Sequence, residues 1–251
     1  MSSGFLHKYF LNHSGKMIHK WLHYFDIYER HLERFRGKNF HFLEIGVAHG
    51  GSQEMWRSYF GPEARMSCLD IRDLSHNVPR ETAKFYRGSQ TDRAILDRII
   101  RENGAIDVVL DDGSHQSEHV IASFEHLYPK MSPNGLYMVE DIMCSYLKKY
   151  DGGLRKAGTA MEYFKSLSDN LNFMHTPDIS NEDPVGNSTD SVTFYDGVVV
   201  LERRPKAHPQ WARTGYASFY GPIAFCPQFP DGAPADDGYK SGIKATVKID
   251  K

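Results

Sequence analysis

Two acidic pairs directly follow apolar runs that have the length and composition of buried strands. The first pair is Asp111-Asp112, with His115 three residues after it, and the second pair is Glu140-Asp141. In an open parallel α/β sheet, ligands bind beyond the carboxyl ends of the strands. Neighbouring strands would therefore bring these carboxylates and the imidazole into one cleft. Because an all-oxygen ligand set suits Mg²⁺, the sequence predicts a hard-metal site with a general base beside it.

The four acids are expected to play different roles. Asp111 and Asp112 are adjacent in an extended chain, so their side chains point to opposite sides. We predict Asp112 as the metal ligand, together with Glu140 and Asp141, whereas Asp111 either faces a cofactor or braces the loop. His115 is the predicted general base, because histidine exchanges protons near neutral pH. The structural alternative is that the acids cap helices and pair with nearby lysines or arginines.

A glycine-rich turn follows the first predicted strand, within residues 43–52. Gly46 lets the backbone turn sharply, and a helix start offers free N–H groups to an anionic ligand. Asp70 ends the next strand, twenty-four residues after Gly46. An acidic residue at about that distance binds a ribose hydroxyl in nucleotide cofactors. The pattern predicts such a cofactor; the alternative is a tight strand-to-helix turn without a ligand.

Ser89 and Gln90 follow the third predicted strand, where contacts to an adenine edge would be made. A simpler interpretation is that Ser89 or Thr91 caps the helix that follows. The sequence leaves both interpretations open.

Strand and helix signals alternate along the chain, which is the pattern of a parallel sheet with crossover helices. Strands are predicted near 40–46, 66–71, 84–88, 105–111 and 134–140, and helices near 51–60, 91–103, 115–129 and 157–171. Two further strands, 191–195 and 198–202, flank Asp196-Gly197, which is a strong hairpin signal. This closing hairpin counts against a plain dinucleotide-binding domain.

The N-terminal region is predicted to form one long helix over residues 15–36, ended by Gly37. Apolar residues recur there at helical spacing, and Trp21 and Phe25 are expected in the core. Three further residues on or near one face either line the cleft as a lid or face solvent: His19, His23 and Tyr24. The predicted organisation is an N-terminal helical segment (1–37), a core (38–204) and a C-terminal extension (205–251) that wraps or caps the core.

Composition limits the function classes. The 251 residues are 40% apolar and 25% charged with a net charge of −2, so no global basic field favours nucleic acid. No apolar run is long enough for a membrane span, and the N-terminus lacks a signal-peptide core. The three cysteines are far apart and odd in number, which argues against a disulfide framework. A reduced, cytoplasmic setting is expected.

Taken together, these motifs resemble those of the metal-dependent class I sugar O-methyltransferases of antibiotic tailoring. The same group includes proteins loosely labelled cephalosporin hydroxylases. The resemblance runs from about Lys16 to Glu202, and its most specific parts are the 44–52 loop, Asp70 and the segments 88–90, 111–115 and 140–141. It implies a Rossmann-like α/β fold, with a mostly parallel seven-stranded sheet that ends in an antiparallel hairpin.

The resemblance also implies S-adenosylmethionine and Mg²⁺ as cofactors, with Mg²⁺ held by Asp112, Glu140 and Asp141 and with His115 as the base. The cofactor-binding residues that it implies are Glu44, Gly46, Ser52, Asp70, Ser89, Gln90 and Asp111. The expected acceptor is a sugar hydroxyl of a glycosylated natural product or polysaccharide, and homo-oligomers are expected in which a neighbouring subunit helps to close the site.

Two departures from the family leave the acceptor open. The macrolide enzymes have an added N-terminal domain with no counterpart in this sequence. Met143-Cys144 stands where relatives often have His-Thr.

Three rival functions use some of the same residues. An NAD-dependent oxidoreductase would explain the glycine loop and Asp70, but not two acidic pairs. An iron-dependent hydroxylase needs two histidines and one carboxylate, of which only His115 and Asp112 are well placed. A non-catalytic cofactor-binding module would keep the fold, although the intact acids argue against it.

Overall fold

The computed structural model describes residues 4–175 and 184–207. Its seven strands are β1 (His41–Ile45), β2 (Arg65–Asp70), β3 (Lys84–Arg87), β4 (Val108–Asp111), β5 (Leu136–Val139), β6 (Thr189–Phe194) and β7 (Val199–Arg203). The helices are α1 (Phe5–Asn12), α2 (Tyr24–Leu32), α3 (Gly51–Phe60), α4 (Arg93–Asn103), α5 (Ser117–Leu127) and α6 (Ala160–Leu171). No helix in the described ranges has the length and apolarity to cross a membrane.

The strands form one sheet in the order β3-β2-β1-β4-β5-β7-β6. Strands β1 to β5 are parallel, and β7 runs antiparallel to both β5 and β6. The predicted fold class and its closing hairpin are thereby confirmed. The strand order reverses between β1 and β4, and ligands bind at such a switch point in open α/β sheets. The glycine turn after β1 and the acidic pair at the end of β4 meet there.

Two hydrophobic layers cover the sheet, one on each face. Side chains alternate along each strand, so Phe42 of β1 joins one layer while Leu43 joins the other. Helices α2 and α3 contribute to the first layer through Phe25 and Trp56. Because both faces are covered, the central strands are buried along their whole length. This rigid platform fixes the positions of the strand ends.

The N-terminal region differs from the long helix predicted over 15–36. Helices α1 and α2 are separated by an irregular segment, residues 13–23. Phe25 is buried as expected, whereas Trp21 is 55% exposed, so its assignment to the core was wrong. Long-range polar contacts of the segment override helical propensity here: the Lys16 ammonium donates to the carbonyl oxygen of Asn77 at 2.7 Å.

The predicted domain boundaries remain a prediction. The N-terminal segment shares its core with the sheet, because Leu6 and Phe25 pack in the same layer as Phe42. The predicted C-terminal extension lies, from residue 208 onward, outside the described residues.

His41, the first residue of β1, should make stability depend on pH. It is fully buried, with Nδ1 3.2 Å from the carbonyl oxygen of Gly104 and Nε2 2.9 Å from the Ser67 hydroxyl. Burial lowers its pKa to about 4, against about 6.5 in an unfolded chain. The unfolded chain therefore binds a proton between these values while the folded protein does not. Stability is full above pH 6.5 and falls as the pH drops towards 4.

We expect the free energy of unfolding to fall by about 2 kcal/mol between pH 7 and pH 5 through His41 alone. The measurement is urea denaturation at both pH values for the wild type and for His41→Gln. Because the other titrating groups are common to both proteins, the difference between their pH dependences isolates His41. Equal pH dependences would show that His41 does not titrate in this way.

Candidate active site

A cleft lies at the carboxyl ends of β1, β4 and β5. Its first part, the acid pocket, has a volume of about 250 Å³ and is lined by Asp112, His115, Glu140 and Asp141 together with the segment 17–21. A second part, the side pocket, has about 190 Å³ and is lined by Gly88, Ser89, Gln90, Ser114 and His119 among others. Four residues line both parts: Gly46, Asp70, Arg72 and Gly113. The two pockets therefore adjoin.

The acid pocket brings together the residues that the sequence placed at two strand ends. The His115 Nε2 atom lies 3.9 Å from Asp112 Oδ1 and 3.9 Å from Asp141 Oδ2. Asp112, His115 and Asp141 each offer a ligand atom, and these atoms lie within 4.8 Å of one another. His115 and Asp141 have positive φ angles of 57° and 52°. Such strained backbone is typical of functional sites, where it aims side chains at a ligand.

Glu140 is the buried member of the acidic group. It is 2% exposed, and its Oε1 atom has no hydrogen-bond partner among the described residues. The buried Tyr28 hydroxyl likewise has no partner within hydrogen-bond distance among the described residues. Burial and the nearby charge of Glu140 raise the pKa of this hydroxyl. Burial and the nearby charge of Asp112 raise the pKa of Glu140, whereas the Lys20 ammonium lowers it and favours the ionised carboxylate. Crowded carboxylates and an unpartnered buried oxygen are what a divalent cation with oxygen ligands would satisfy, so the residues present fit Mg²⁺.

Lys20 is a residue of the site that sequence reasoning missed. Its side chain is 3% exposed, and its ammonium donates to Asp112 Oδ2 at 2.5 Å and to Glu140 Oε2 at 2.6 Å. The alternative that the acids pair with a lysine is thus realised for two of them. No local pattern could have found this contact, since Lys20 is 92 and 120 residues from its partners.

Asp111 points away from the cleft. Its carboxylate is 1% exposed and accepts hydrogen bonds from Ser123 at 2.8 Å, from the Gln90 amide at 3.1 Å and from the Tyr137 hydroxyl at 3.2 Å. Gln90 in turn accepts from the backbone N–H of Ser114 at 2.9 Å. Of the two roles considered for Asp111, its contacts favour bracing of the 112–115 loop; cofactor contact stays a prediction.

The glycine turn approaches that loop closely. Gly46 has φ +98°, and a Cβ atom built on it would lie 2.1 Å from the backbone carbonyl oxygen of Asp112. Asp70 lies beside this turn and accepts from the backbone N–H of Val47 at 3.1 Å. Asp70 lines both pockets, which is the position that a ribose-binding carboxylate would need.

The remaining predicted cofactor residues divide into two groups. Ser52 lines the acid pocket, and Ser89 and Gln90 line the side pocket. Glu44 does not line either part, because its buried carboxylate accepts from Gln53 at 2.5 Å and from the Trp56 indole at 3.1 Å. Burial raises its pKa to about 7. Cofactor contact by Glu44 stays a prediction, and its contacts in the structure favour support of the turn.

The structure also bears on two alternatives that the sequence left open, namely the N-cap of α4 and the positions of His19, His23 and Tyr24. The N-cap of α4 is Asp92, which accepts from the backbone N–H of Ala94 at 2.9 Å, so neither Ser89 nor Thr91 caps that helix. His19 and Tyr24 line the acid pocket. His23 is outside its lining, with Nε2 3.0 Å from the carbonyl oxygen of Asp196.

Comparisons with known proteins agree with this geometry. A family model described as a methyltransferase domain matches residues 43–142. The mycinamicin VI 2''-O-methyltransferase of Micromonospora griseorubida is 36% identical over 196 residues, which cover 73% of this chain and 49% of that protein. A rhamnosyl tetracenomycin-C 2'-O-methyltransferase of Streptomyces olivaceus is 34% identical, over 74% of this chain and 52% of that protein.

A solved structure has the same fold. The MycE methyltransferase of the mycinamycin pathway, in complex with Mg, SAH and mycinamycin VI, superimposes with a TM-score of 0.68 at 34% identity, covering 74% of this chain and 50% of that one. The chain is a relative of the sugar O-methyltransferases. It spans about half the length of the curated relatives that it matches.

Gly46 gives a direct test of cofactor binding in this cleft. In Gly46→Ala the new Cβ meets the Asp112 backbone at 2.1 Å, so the turn and the 112–115 loop must separate. We expect affinity for S-adenosylhomocysteine to fall by at least about 100-fold, because a main-chain clash cannot be relieved by a rotamer change. Isothermal titration calorimetry measures the affinity.

Gly37→Ala is the matched control. Gly37 also has a positive φ, of 65°, but a Cβ atom there would meet nothing within 4 Å. It should lose only about 1 kcal/mol of stability through backbone strain and keep its affinity for S-adenosylhomocysteine. Equal affinities for both variants would refute the role given to the turn.

Proposed function

We propose that this protein is an S-adenosylmethionine- and Mg²⁺-dependent O-methyltransferase that acts on a sugar hydroxyl of a glycosylated natural product or polysaccharide. The observation that supports it most is the acid pocket, in which Asp112 and Asp141 lie 3.9 Å from His115 and Glu140 is part of the same lining. This pocket adjoins the side pocket through Gly46 and Asp70. A nucleoside cofactor and a metal-bound hydroxyl would need two such neighbouring compartments. The named relatives, all sugar O-methyltransferases, support the same conclusion.

The cofactor is proposed to lie across the shared wall of the two pockets. Asp70 would bind the ribose hydroxyls, Ser89 and Gln90 the adenine edge, and Gly46 and Ser52 the amino-acid end. Glu44 and Asp111, whose carboxylates are held by buried donors, would also support the turn and the loop. When bound, the sulfonium of the cofactor supplies an already activated methyl group.

The metal is proposed to be held by Asp112, Glu140 and Asp141. Bound there, Mg²⁺ supplies a Lewis acid that stabilises a developing alkoxide on the acceptor. Asp141 is positioned by Tyr24, whose hydroxyl donates to Asp141 Oδ1 at 2.8 Å. Burial and this hydrogen bond raise the pKa of Tyr24 far above its usual range, so the phenol stays a donor at neutral pH.

His115 is the proposed general base. Its Nε2 atom faces both Asp112 and Asp141 at 3.9 Å, so a hydroxyl bound among these carboxylates would lie within reach of it. Nε2 would take the hydroxyl proton, and the neighbouring carboxylates would stabilise the imidazolium. Proton removal of this kind typically contributes about 10²–10⁴-fold to the rate.

The acceptor is proposed to enter beside the segment 17–21, which forms one wall of the acid pocket. Met17 and Trp21 line this wall and are 62% and 55% exposed. An apolar, aromatic wall next to carboxylates suits a sugar, whose C–H face is apolar and whose hydroxyls are polar. A screen of glycosides would identify the particular sugar and hydroxyl.

We also propose that the protein is a cytoplasmic homo-oligomer that has no membrane span and does not bind nucleic acid. The family resemblance supports the oligomer, and the free, buried thiols of Cys68 and Cys144 suit a reducing compartment. Light scattering on the purified protein measures the oligomeric state, and a monomeric mass would contradict the proposal.

Calorimetric titration of S-adenosylhomocysteine, with Mg²⁺ and with EDTA, is the first experiment for the function. We expect a dissociation constant on the order of micromolar, which corresponds to a binding free energy of about −8 kcal/mol. Absence of binding in both conditions, together with a melting-temperature shift by nicotinamide dinucleotides, would favour the oxidoreductase. Cofactor binding without turnover on any glycoside or phenol would favour the non-catalytic module.

His115→Ala tests the general base. It should keep the affinity for S-adenosylhomocysteine and lower turnover by at least about 100-fold on the glycoside that the screen identifies. His126→Ala is a suitable control, because His126 lies near the far end of α5 and pairs with Asp97 at 2.9 Å. Near-normal turnover of His115→Ala would remove His115 from the mechanism.

Asp112→Asn tests the metal ligand. Loss of one carboxylate charge should abolish the stimulation of turnover by Mg²⁺, since the remaining ligands hold the cation poorly. The measurement is initial rate against Mg²⁺ concentration. A variant that Mg²⁺ still stimulates as in the wild type would contradict this ligand assignment.

A further inference from the structure

The Lys20 ammonium occupies the side of the acid pocket where Asp112 and Glu140 face each other. It donates to Asp112 Oδ2 at 2.5 Å and to Glu140 Oε2 at 2.6 Å. These oxygens belong to two of the three carboxylates proposed to hold Mg²⁺. The Lys20 side chain is 3% exposed, so solvent screens these contacts little. Within the described residues, Lys20 is the only lysine or arginine that forms an ion pair with either acid.

A divalent cation cannot bind these same oxygens while Lys20 stays in place. Two cations at one pair of carboxylates repel each other, and this repulsion is stronger in a buried site than in water. The N–H donors also occupy the lone pairs that a metal would need. The unpartnered Glu140 Oε1 shows that Lys20 satisfies this buried carboxylate only in part.

Lys20 is part of the wall that the acceptor would meet. Met17, Ile18, His19 and Trp21 line the acid pocket beside it. Contacts on both sides of the segment hold this wall. Before it, the Lys16 ammonium pairs with Glu54 at 3.0 Å. After it, the Tyr24 hydroxyl donates to Asp141 at 2.8 Å and to the carbonyl oxygen of Gly197 at 3.1 Å. Withdrawal of Lys20 from the acids would therefore shift the residues between two fixed points.

We propose that Lys20 is an internal counter-cation of the metal site, which neutralises Asp112 and Glu140 in the metal-free protein and is displaced when the divalent cation binds. Lys20 thereby sets the metal affinity, and metal binding rearranges the segment 17–21 that forms the acceptor wall. This inference rests on the proposed metal-dependent function and adds a positioning residue to it.

Lys20→Met is the first test, since methionine keeps the apolar stem and removes the charge. Calorimetric titration with Mg²⁺ should show at least about ten-fold tighter binding than in the wild type, because the competing cation is gone. The melting temperature of this variant in EDTA should be lower than that of the wild type and should recover when Mg²⁺ is added. Unchanged or weaker Mg²⁺ binding in Lys20→Met would overturn the proposal.

Lys165→Met is the control, because Lys165 lies on α6 and pairs with Glu162 outside the acid pocket. Its Mg²⁺ affinity should equal that of the wild type. If no protein in the series bound Mg²⁺, the metal-dependent function itself would fail along with the inference. If all three bound Mg²⁺ equally, only the inference would fail.

A second experiment uses the wild-type protein and so does not depend on the folding of a variant. Amine acetylation, followed by mass spectrometry of the peptides, reports the accessibility of individual lysines. Lys20 should be protected in EDTA and acetylated faster in Mg²⁺, whereas Lys16, which is 33% exposed, should react at the same rate in both. Equal rates for Lys20 in the two conditions would contradict its displacement.

Discussion

Buried negative charge at the ends of β4 and β5 is the constraint on which the rest of this site depends. Glu140 is enclosed by protein, and Asp112 and Asp141 lie beside it. An ionised carboxylate in such surroundings is strongly disfavoured unless a positive charge or hydrogen bonds compensate it. The fold supplies Lys20 for this purpose from a segment that precedes the whole sheet. On our proposal, a divalent cation would displace Lys20 from these acids, and the segment 17–21 would rearrange.

A second set of interactions keeps the acids in position. Asp111 turns inward and accepts hydrogen bonds from Ser123, Gln90 and Tyr137, while Asp112 turns towards the cleft. The two adjacent aspartates therefore differ in their contacts: Asp111 braces the loop and Asp112 faces the cleft. Gly46 completes the arrangement, because only a residue without a Cβ atom allows the first turn to approach the Asp112 carbonyl so closely.

The family model matches most of the residues that line the cleft on the sheet side. The family model matches residues 43–142, which span the glycine turn, Asp70, the 111–115 loop and both acids at the end of β5. The segment 17–21 lies before the matched residues, and our proposal places the acceptor beside it. The residues that the family model matches therefore include the strand ends of the site, whereas the segment 17–21 lies outside them.

Much of this protein was predictable from the sequence, because the informative patterns are local. Apolar runs of strand length, glycine turns and the Asp196-Gly197 hairpin signal predict the sheet, and carboxylates at the ends of parallel strands must meet at one edge. The roles of Asp111 and Asp112 could be separated in principle by the alternation of side chains along a strand. Which of the two faces the cleft was decided by the donors around Asp111.

The N-terminal segment was decided only by the tertiary structure. Its apolar spacing predicts a helix through Trp21, yet the chain leaves the helical path before α2 and exposes that residue. The physical reason is that Lys20 and Lys16 find partners far away in the sequence, and neutralising a buried carboxylate outweighs the small gain from a few more helical residues. Local sequence determines which elements form and which acids meet; pairing of a distant lysine with those acids depends on the whole fold.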